Sequence, residues 1–143
     1  SWAKRHKASF DRVLVDAPCS GSGTWRRNPD ARWRLDALSL SDHVARQKDI
    51  LVSAAHLVKP SGRLVYATCS ILCEENEDVV EAFLGEYAEF ATLPVGDVWA
   101  ETVALMEGSA GFGGMKEKGE WLHLSPARHG CDGFFVAIME RRK

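Results

Sequence analysis

Three side chains capable of chemistry stand where short apolar runs give out. Asp16 and Cys19 follow Val13-Leu14-Val15, and Cys69 follows Leu64-Val65-Tyr66-Ala67-Thr68. A carboxylate accepts hydrogen bonds and steadies positive charge, and a thiolate is a strong nucleophile. In an open α/β sheet, ligands bind outside the carboxyl ends of the strands. If the two runs are neighbouring strands, the acid and both thiols converge on one edge. Between them lies a Ser20-Gly21-Ser22-Gly23 turn. No Gly-Lys-Ser/Thr follows it and no helix opens directly after it, so it is a poor phosphate loop. Its glycines read instead as letting a bulky substrate approach the backbone. Next come Trp25, Arg26, Arg27, Trp33 and Arg34, cations interleaved with aromatics. That mixture suits phosphate contacts and stacking on an unpaired base, while Trp33 equally suits an anchor holding the loop to the core.

The elements that must position these groups follow from periodicity. Phe10 to Asp16 reads as a strand whose near-continuous apolar centre is expected of a strand covered on both faces. Residues 17–36 form a long loop. Ser39 to Val58 is expected to be helical, with Val44, Leu51, Ala54, Ala55 and Val58 on one face, Ser41 as its cap and Lys59-Pro60 as its stop. Arg63 to Thr68 is a second buried strand, which brings Cys69 to its carboxyl end. Glu74 to Leu84 is a helix with an acidic start, closed by Gly85. Phe90 to Val95 reads as a strand, Glu101 to Met106 as helical, Gly108 to Gly119 as a glycine-rich loop, Trp121 to Leu124 as a short strand and Gly133 to Glu140 as the last strand. Strands alternating with helices imply βαβ units and an α/β fold. Cys73 and Cys131 read as small packing residues.

Composition bounds the setting. A chain of 143 residues supports one domain. No apolar run approaches the roughly 18 residues of a membrane span and no signal-peptide pattern opens the chain, so no membrane partner is expected and the cytoplasm is the default compartment. Four cysteines without a secretory signal do not suggest a disulfide framework, and only Cys69 and Cys73 are close in sequence, so no metal is expected. Net charge is −2, yet the basic residues cluster at Lys4 to Lys7, Arg26 to Arg34 and Arg141 to Lys143. A locally basic face on a near-neutral body suits an enzyme acting on nucleic acid.

The ordered motifs DAPCSGSGT, RRNPDARWR, YATCS, EEN and HGCDGFFVA resemble those of the Sun-type RNA cytosine-C5 methyltransferases, nearest their bacterial small-subunit ribosomal-RNA branch. The resemblance implies a Rossmann-like class I methyltransferase fold and S-adenosylmethionine as cofactor. It makes Cys69 the nucleophile that adds to cytosine C6. Asp16 would bind the ring and contact the cofactor. Cys19 would assist loss of the C5 proton and release of the enzyme. The family's glycine-rich cofactor motif is not among these residues, so residues 1–143 are expected to be the C-terminal portion of the catalytic domain, carrying its later strands and inactive alone. Phe10 to Asp16 should then form an open sheet edge prone to self-association. The rival readings are a thiol-dependent redox or acyl-transfer protein, which lacks a Cys-x-x-Cys motif, and a non-catalytic RNA-binding module.

Overall fold

The computed structural model of the chain describes residues 5–104 and 119–143. Its strands are β1 (Phe10–Asp16), β2 (Val58–Thr68), β3 (Phe90–Leu93), β4 (Leu122–Leu124) and β5 (Phe134–Arg141). The helices are α1 (Asp30–Arg34), α2 (Ala37–Ala55), α3 (Glu77–Glu86), α4 (Val95–Ala104) and α5 (Pro126–His129). One sheet holds all five strands in the order β1-β2-β5-β3, with β4 also on β5. β1 and β2 are parallel, in register from Arg12↔Arg63 to Asp16↔Ala67. β5 runs antiparallel to β2, and β3 and β4 share the far side of β5, at opposite ends of it.

This register sets up the site. The last β1 residue lies beside Ala67, and the Ala17 amide still donates to the Ala67 carbonyl at 2.9 Å. Both strands therefore run out on one edge, one with Asp16 and Cys19, the other with Cys69. Alternation along each strand divides the apolar residues between two faces. Val15, Leu64, Tyr66, Phe135, Ala137 and Met139 are buried under Leu51, Ala54 and Ala55 of α2 and Val79, Val80 and Phe83 of α3. On the opposite face Ile138, Val95 and Leu122 make a smaller cluster with Val65 and Val98. Leu14 is 68% exposed, so β1 is covered on one face and not on two.

Several boundaries differ from the expected ones, each for a local reason. Helix α2 starts at Ala37 because Asp36, not Ser41, caps it: the Asp36 carboxylate accepts from the Ser39 amide at 2.7 Å, and the Ser39 hydroxyl lies 3.0 Å from the Asp36 amide, which donates to it. It ends at Ala55, before Lys59-Pro60, because the segment leading into β1 claims the following backbone: Ala8 donates to the His56 carbonyl, and Ser9 and Phe10 to that of Leu57. Val58 is therefore the first residue of β2. Lys59 to Gly62 bulge out between the pairs Phe10↔Val58 and Arg12↔Arg63, with Ser61 at φ +60°. Glu74 and Glu75 lie in a 3₁₀ turn before α3, which runs past Gly85 to Glu86. Strand β3 stops at Leu93 and α4 begins at Val95, earlier than expected. The loop at 17–36 contains a 3₁₀ turn, Ser22–Thr24, and α1. Met106 and the stretch from Gly108 to residue 118 lie outside the described residues.

Candidate active site and nucleic-acid interface

The sulfurs of Cys19 and Cys69 lie 3.4 Å apart, within hydrogen-bonding reach. Burial, reinforced by the neighbouring Cys69 sulfur, pushes the Cys19 thiol up from 9.0 to about 12. At neutral pH Cys19 is therefore a protonated thiol, with a proton available to the Cys69 sulfur. Asp16 ends β1 three residues earlier. Its carboxylate is exposed and has no hydrogen-bond partner among the described residues.

The glycines of the turn serve the protein's own backbone. Gly21 sits in the left-handed region at φ +67°. The Gly23 amide donates to the Cys69 carbonyl at 2.9 Å, and the Gly133 amide donates to the Gly23 carbonyl at 2.8 Å. A Cβ on Gly23 would overlap the Gly133 carbonyl and come within 2.8 Å of that of Cys69. The chain that approaches Gly23 closely is thus the loop before β5, where a substrate was expected. Three separate motifs are stitched together by bare backbone.

Beneath the thiols lies a group that sequence reasoning missed. Glu75 is fully buried, and its carboxylate accepts from the Ser20 amide (2.8 Å), the Ser20 hydroxyl (2.6 Å), the Ser70 hydroxyl (2.5 Å) and the Gln47 side-chain amide (3.1 Å). The single Ser70 proton is committed to Glu75, so in the 3.0 Å contact between Ser22 and Ser70 it is Ser22 that donates. Gln47 also donates to the Pro18 carbonyl at 2.9 Å. The turn is secured from its other side by the Tyr66 hydroxyl, which donates to the Glu75 carbonyl at 2.7 Å, and by Thr68, which donates to the Asn76 side chain at 2.6 Å. The signal was the EEN run five residues after Thr68-Cys69, whose acids look like a solvated helix start when read alone.

The basic loop divides in two. Arg26 and Arg34 are exposed, and Trp33 is 83% exposed, which rules out a core anchor. The Arg32 guanidinium lies 5.9 Å from the ring centres of Trp25 and Trp33. Arg34 borders a cleft of about 210 Å³ whose lining includes Ser39 and His43. Arg27 is exposed as well, and it pairs with Asp132 at 2.5 Å and 2.7 Å, which holds the Asp132 carboxyl below its usual range. Cys73 is exposed and Cys131 half-buried, so neither is the buried packing residue expected. Cys73 follows an unpaired stretch after β2 and precedes α3, and so lies outside the core. No helix of the described residues is long and apolar enough to cross a membrane.

The sequence matches the model of the family described as 16S rRNA methyltransferase RsmB/F over residues 2–140. The chain belongs to that family. It is 37% identical to ribosomal RNA small subunit methyltransferase B of Pasteurella multocida, over 98% of this chain and 28% of that protein. It is also 37% identical to methyltransferase F of Klebsiella pneumoniae, over 93% of this chain and 26% of that protein. The crystal structure of PH0851 superposes with a TM-score of 0.76 and 38% identity, covering 94% of this chain and 27% of that one. The chain thus spans roughly a quarter of the length of the RsmB/F relatives it matches. Its open α/β sheet is part of the methyltransferase fold that the motifs implied, and Asp16, Cys19, Glu75 and Cys69 all fall within the matched residues.

Proposed function

We propose that the chain carries the catalytic thiols of an enzyme that methylates cytosine C5 in ribosomal RNA in the cytoplasm, using S-adenosylmethionine, and that residues 1–143 are the C-terminal portion of its catalytic domain. The observation that carries this reading is the Cys19–Cys69 pair, 3.4 Å apart at the ends of two parallel strands.

Cytosine C5 is a weak nucleophile until a group adds at C6. In this reading the Cys69 thiolate forms a bond to C6, and the C5=C6 electron pair moves into the ring towards N3. N3 takes a proton from solvent as that pair arrives, and the Asp16 carboxylate accepts the resulting N3–H hydrogen bond and so holds the ring. S-adenosylmethionine supplies the methyl group that C5 acquires. The unpartnered Asp16 carboxylate at the exposed strand end fits a cationic, hydrogen-bonding cofactor of that kind. Loss of the C5 proton to solvent then restores the C5=C6 double bond and expels Cys69 as thiolate. Cys19, held as a thiol 3.4 Å away, donates its S–H to that departing sulfur. Its geometry supports the release half of its expected role most directly. The target base must leave its stack to be attacked on its face, and exposed Trp33 with Arg26 and Arg34 offers stacking and phosphate contacts nearby. No glycine-rich strand–turn–helix fingerprint occurs in residues 1–143, so these residues alone should neither bind the cofactor well nor turn over.

The two thiols predict opposite failures in the full-length enzyme. With RNA and S-adenosylmethionine supplied, Cys69→Ser should form no covalent RNA complex. Cys19→Ser should accumulate one that survives denaturing gel electrophoresis. The reverse pattern would exchange the two roles, and no adduct in either variant would remove the covalent reading.

A further inference from the structure

We propose that Glu75 is a positioning residue for the two thiols: its buried carboxylate ties the loop carrying Cys19 to the loop carrying Cys69 and so sets the distance between their sulfurs. The catalytic consequence rests on the function proposed above; the geometry does not.

Strand pairing between β1 and β2 ends at Asp16↔Ala67, with one further bond from the Ala17 amide. Beyond that point the sheet no longer holds Cys19 against Cys69. Glu75 does so through the neighbours of each thiol. Ser20, next to Cys19, donates to it twice, and Ser70, next to Cys69, donates once. Gln47 reaches from α2 to bind Glu75 and the Pro18 carbonyl together, so Cys19 is held from its other side as well. Four donors from three segments fill the two oxygens of one carboxylate. No ion pair among the described residues involves Glu75. Burying a carboxyl group without a cation is costly, and an apolar side chain serves stability as well or better. What an apolar residue cannot do is gather four donors at one point. Because Tyr66, Thr68 and Asn76 hold the turn through other atoms, changing the Glu75 side chain removes its four contacts and leaves the turn in place. The Gly23–Cys69 backbone bond and the Ser22–Ser70 contact then still link the two loops. A misplacement of about 1 Å in a reacting group can cost on the order of a hundredfold in rate.

Phenylarsine oxide reads the thiol spacing directly, since two neighbouring thiols convert it to a cyclic dithioarsenite with loss of one water. The full-length protein should bridge Cys19 to Cys69 with this reagent, seen by mass spectrometry. Glu75→Gln, which keeps the volume but presents an amide NH₂ to the serine hydroxyls, should bridge about tenfold more slowly or worse. Ser20→Ala, which removes a single hydroxyl, should slow bridging in the same direction and keeps the test open if Glu75→Gln fails to fold. Single-turnover methylation should fall alongside, with RNA and S-adenosylmethionine affinities unchanged. Wild-type bridging rates in Ser20→Ala and in folded Glu75→Gln would overturn the proposal, as would a wild-type protein that is not bridged. A wild type that bridges but does not methylate would bring down the proposed reaction and leave the positioning role standing.

Discussion

Cys19 shows how a single environment changes what a thiol can do. Two thiols at matching strand ends could each attack, but burial raises Cys19 from 9.0 to about 12 and keeps its proton on. A thiol in that state is a donor rather than a nucleophile. The same shift reaches stability. Above pH 9 the unfolded chain releases this proton and the folded chain keeps it, so the folded state loses ground as pH rises from 9 towards 12; below pH 9 the group has no effect. Urea unfolding at pH 8 and pH 10.5 should therefore show a steeper loss for the wild type than for Cys19→Ser, a comparison that cancels the other titrating groups. Equal losses would mean that Cys19 ionises normally. Asp16, Cys19 and Cys69 were legible in the sequence because an apolar run that stops at a reactive residue marks a strand end. Glu75 was not. An acid in an acidic run is assigned to solvent, and only the folded chain brings Ser20, Gln47 and Ser70 together around it.

At the scale of elements, patterns that depend on neighbours in the chain were read well, and those that depend on distant segments were not. The central helix, both site strands and the last strand appear close to where apolar periodicity put them. Helix α2 began early because a two-sided capping box at Asp36 and Ser39 outcompetes the lone Ser41, and it ended early because the segment leading into β1 binds the carbonyls of His56 and Leu57. The arginine loop makes the same point. Four cations of similar sequence context sit in different surroundings, because Asp132, more than a hundred residues on, pairs with Arg27. Charge reversal tests what each contributes. Arg26→Glu and Arg34→Glu should weaken RNA binding evenly across RNA sequences, each lowering the salt dependence by about one phosphate contact, and leave the melting temperature within error. Arg27→Glu should lower the melting temperature, because it sets two carboxylates against each other where the loop meets the segment before β5. Filter binding over a salt series together with thermal melting of the three variants checks this. Unchanged affinity at low salt for Arg26→Glu and Arg34→Glu would make the loop purely structural.

For the molecule as a whole, the layout is lopsided. Among the described residues, the sheet's main face is sealed by α2 and α3, and the cluster on its opposite face centres on Val95, Leu122 and Ile138. Strand β1 pairs with β2 on one side and with no described strand on the other, and Leu14 on it is 68% exposed. The family relatives run to roughly four times this length, so a polypeptide of these 143 residues displays an apolar strand edge that stands at the margin of what is present. An unpaired edge is a template for a second copy. The energy available sets how strong that pairing is. Burying two copies of Leu14 contributes about 3–6 kcal/mol, at about 1.5–3 kcal/mol for each leucine side chain. That falls short of the roughly 8 kcal/mol of a micromolar complex. Self-association of the 143-residue polypeptide should accordingly be weak and visible only at high concentration. Sedimentation velocity should find monomer in the low micromolar range and a growing, faster-sedimenting species towards millimolar. Leu14→Lys, which places a charge on that edge, should suppress the faster species without lowering the melting temperature, since an exposed leucine contributes little to the core. A wild-type sample that remains monomeric at millimolar concentration, or a Leu14→Lys variant that associates equally well, would show that β1 is not the contact.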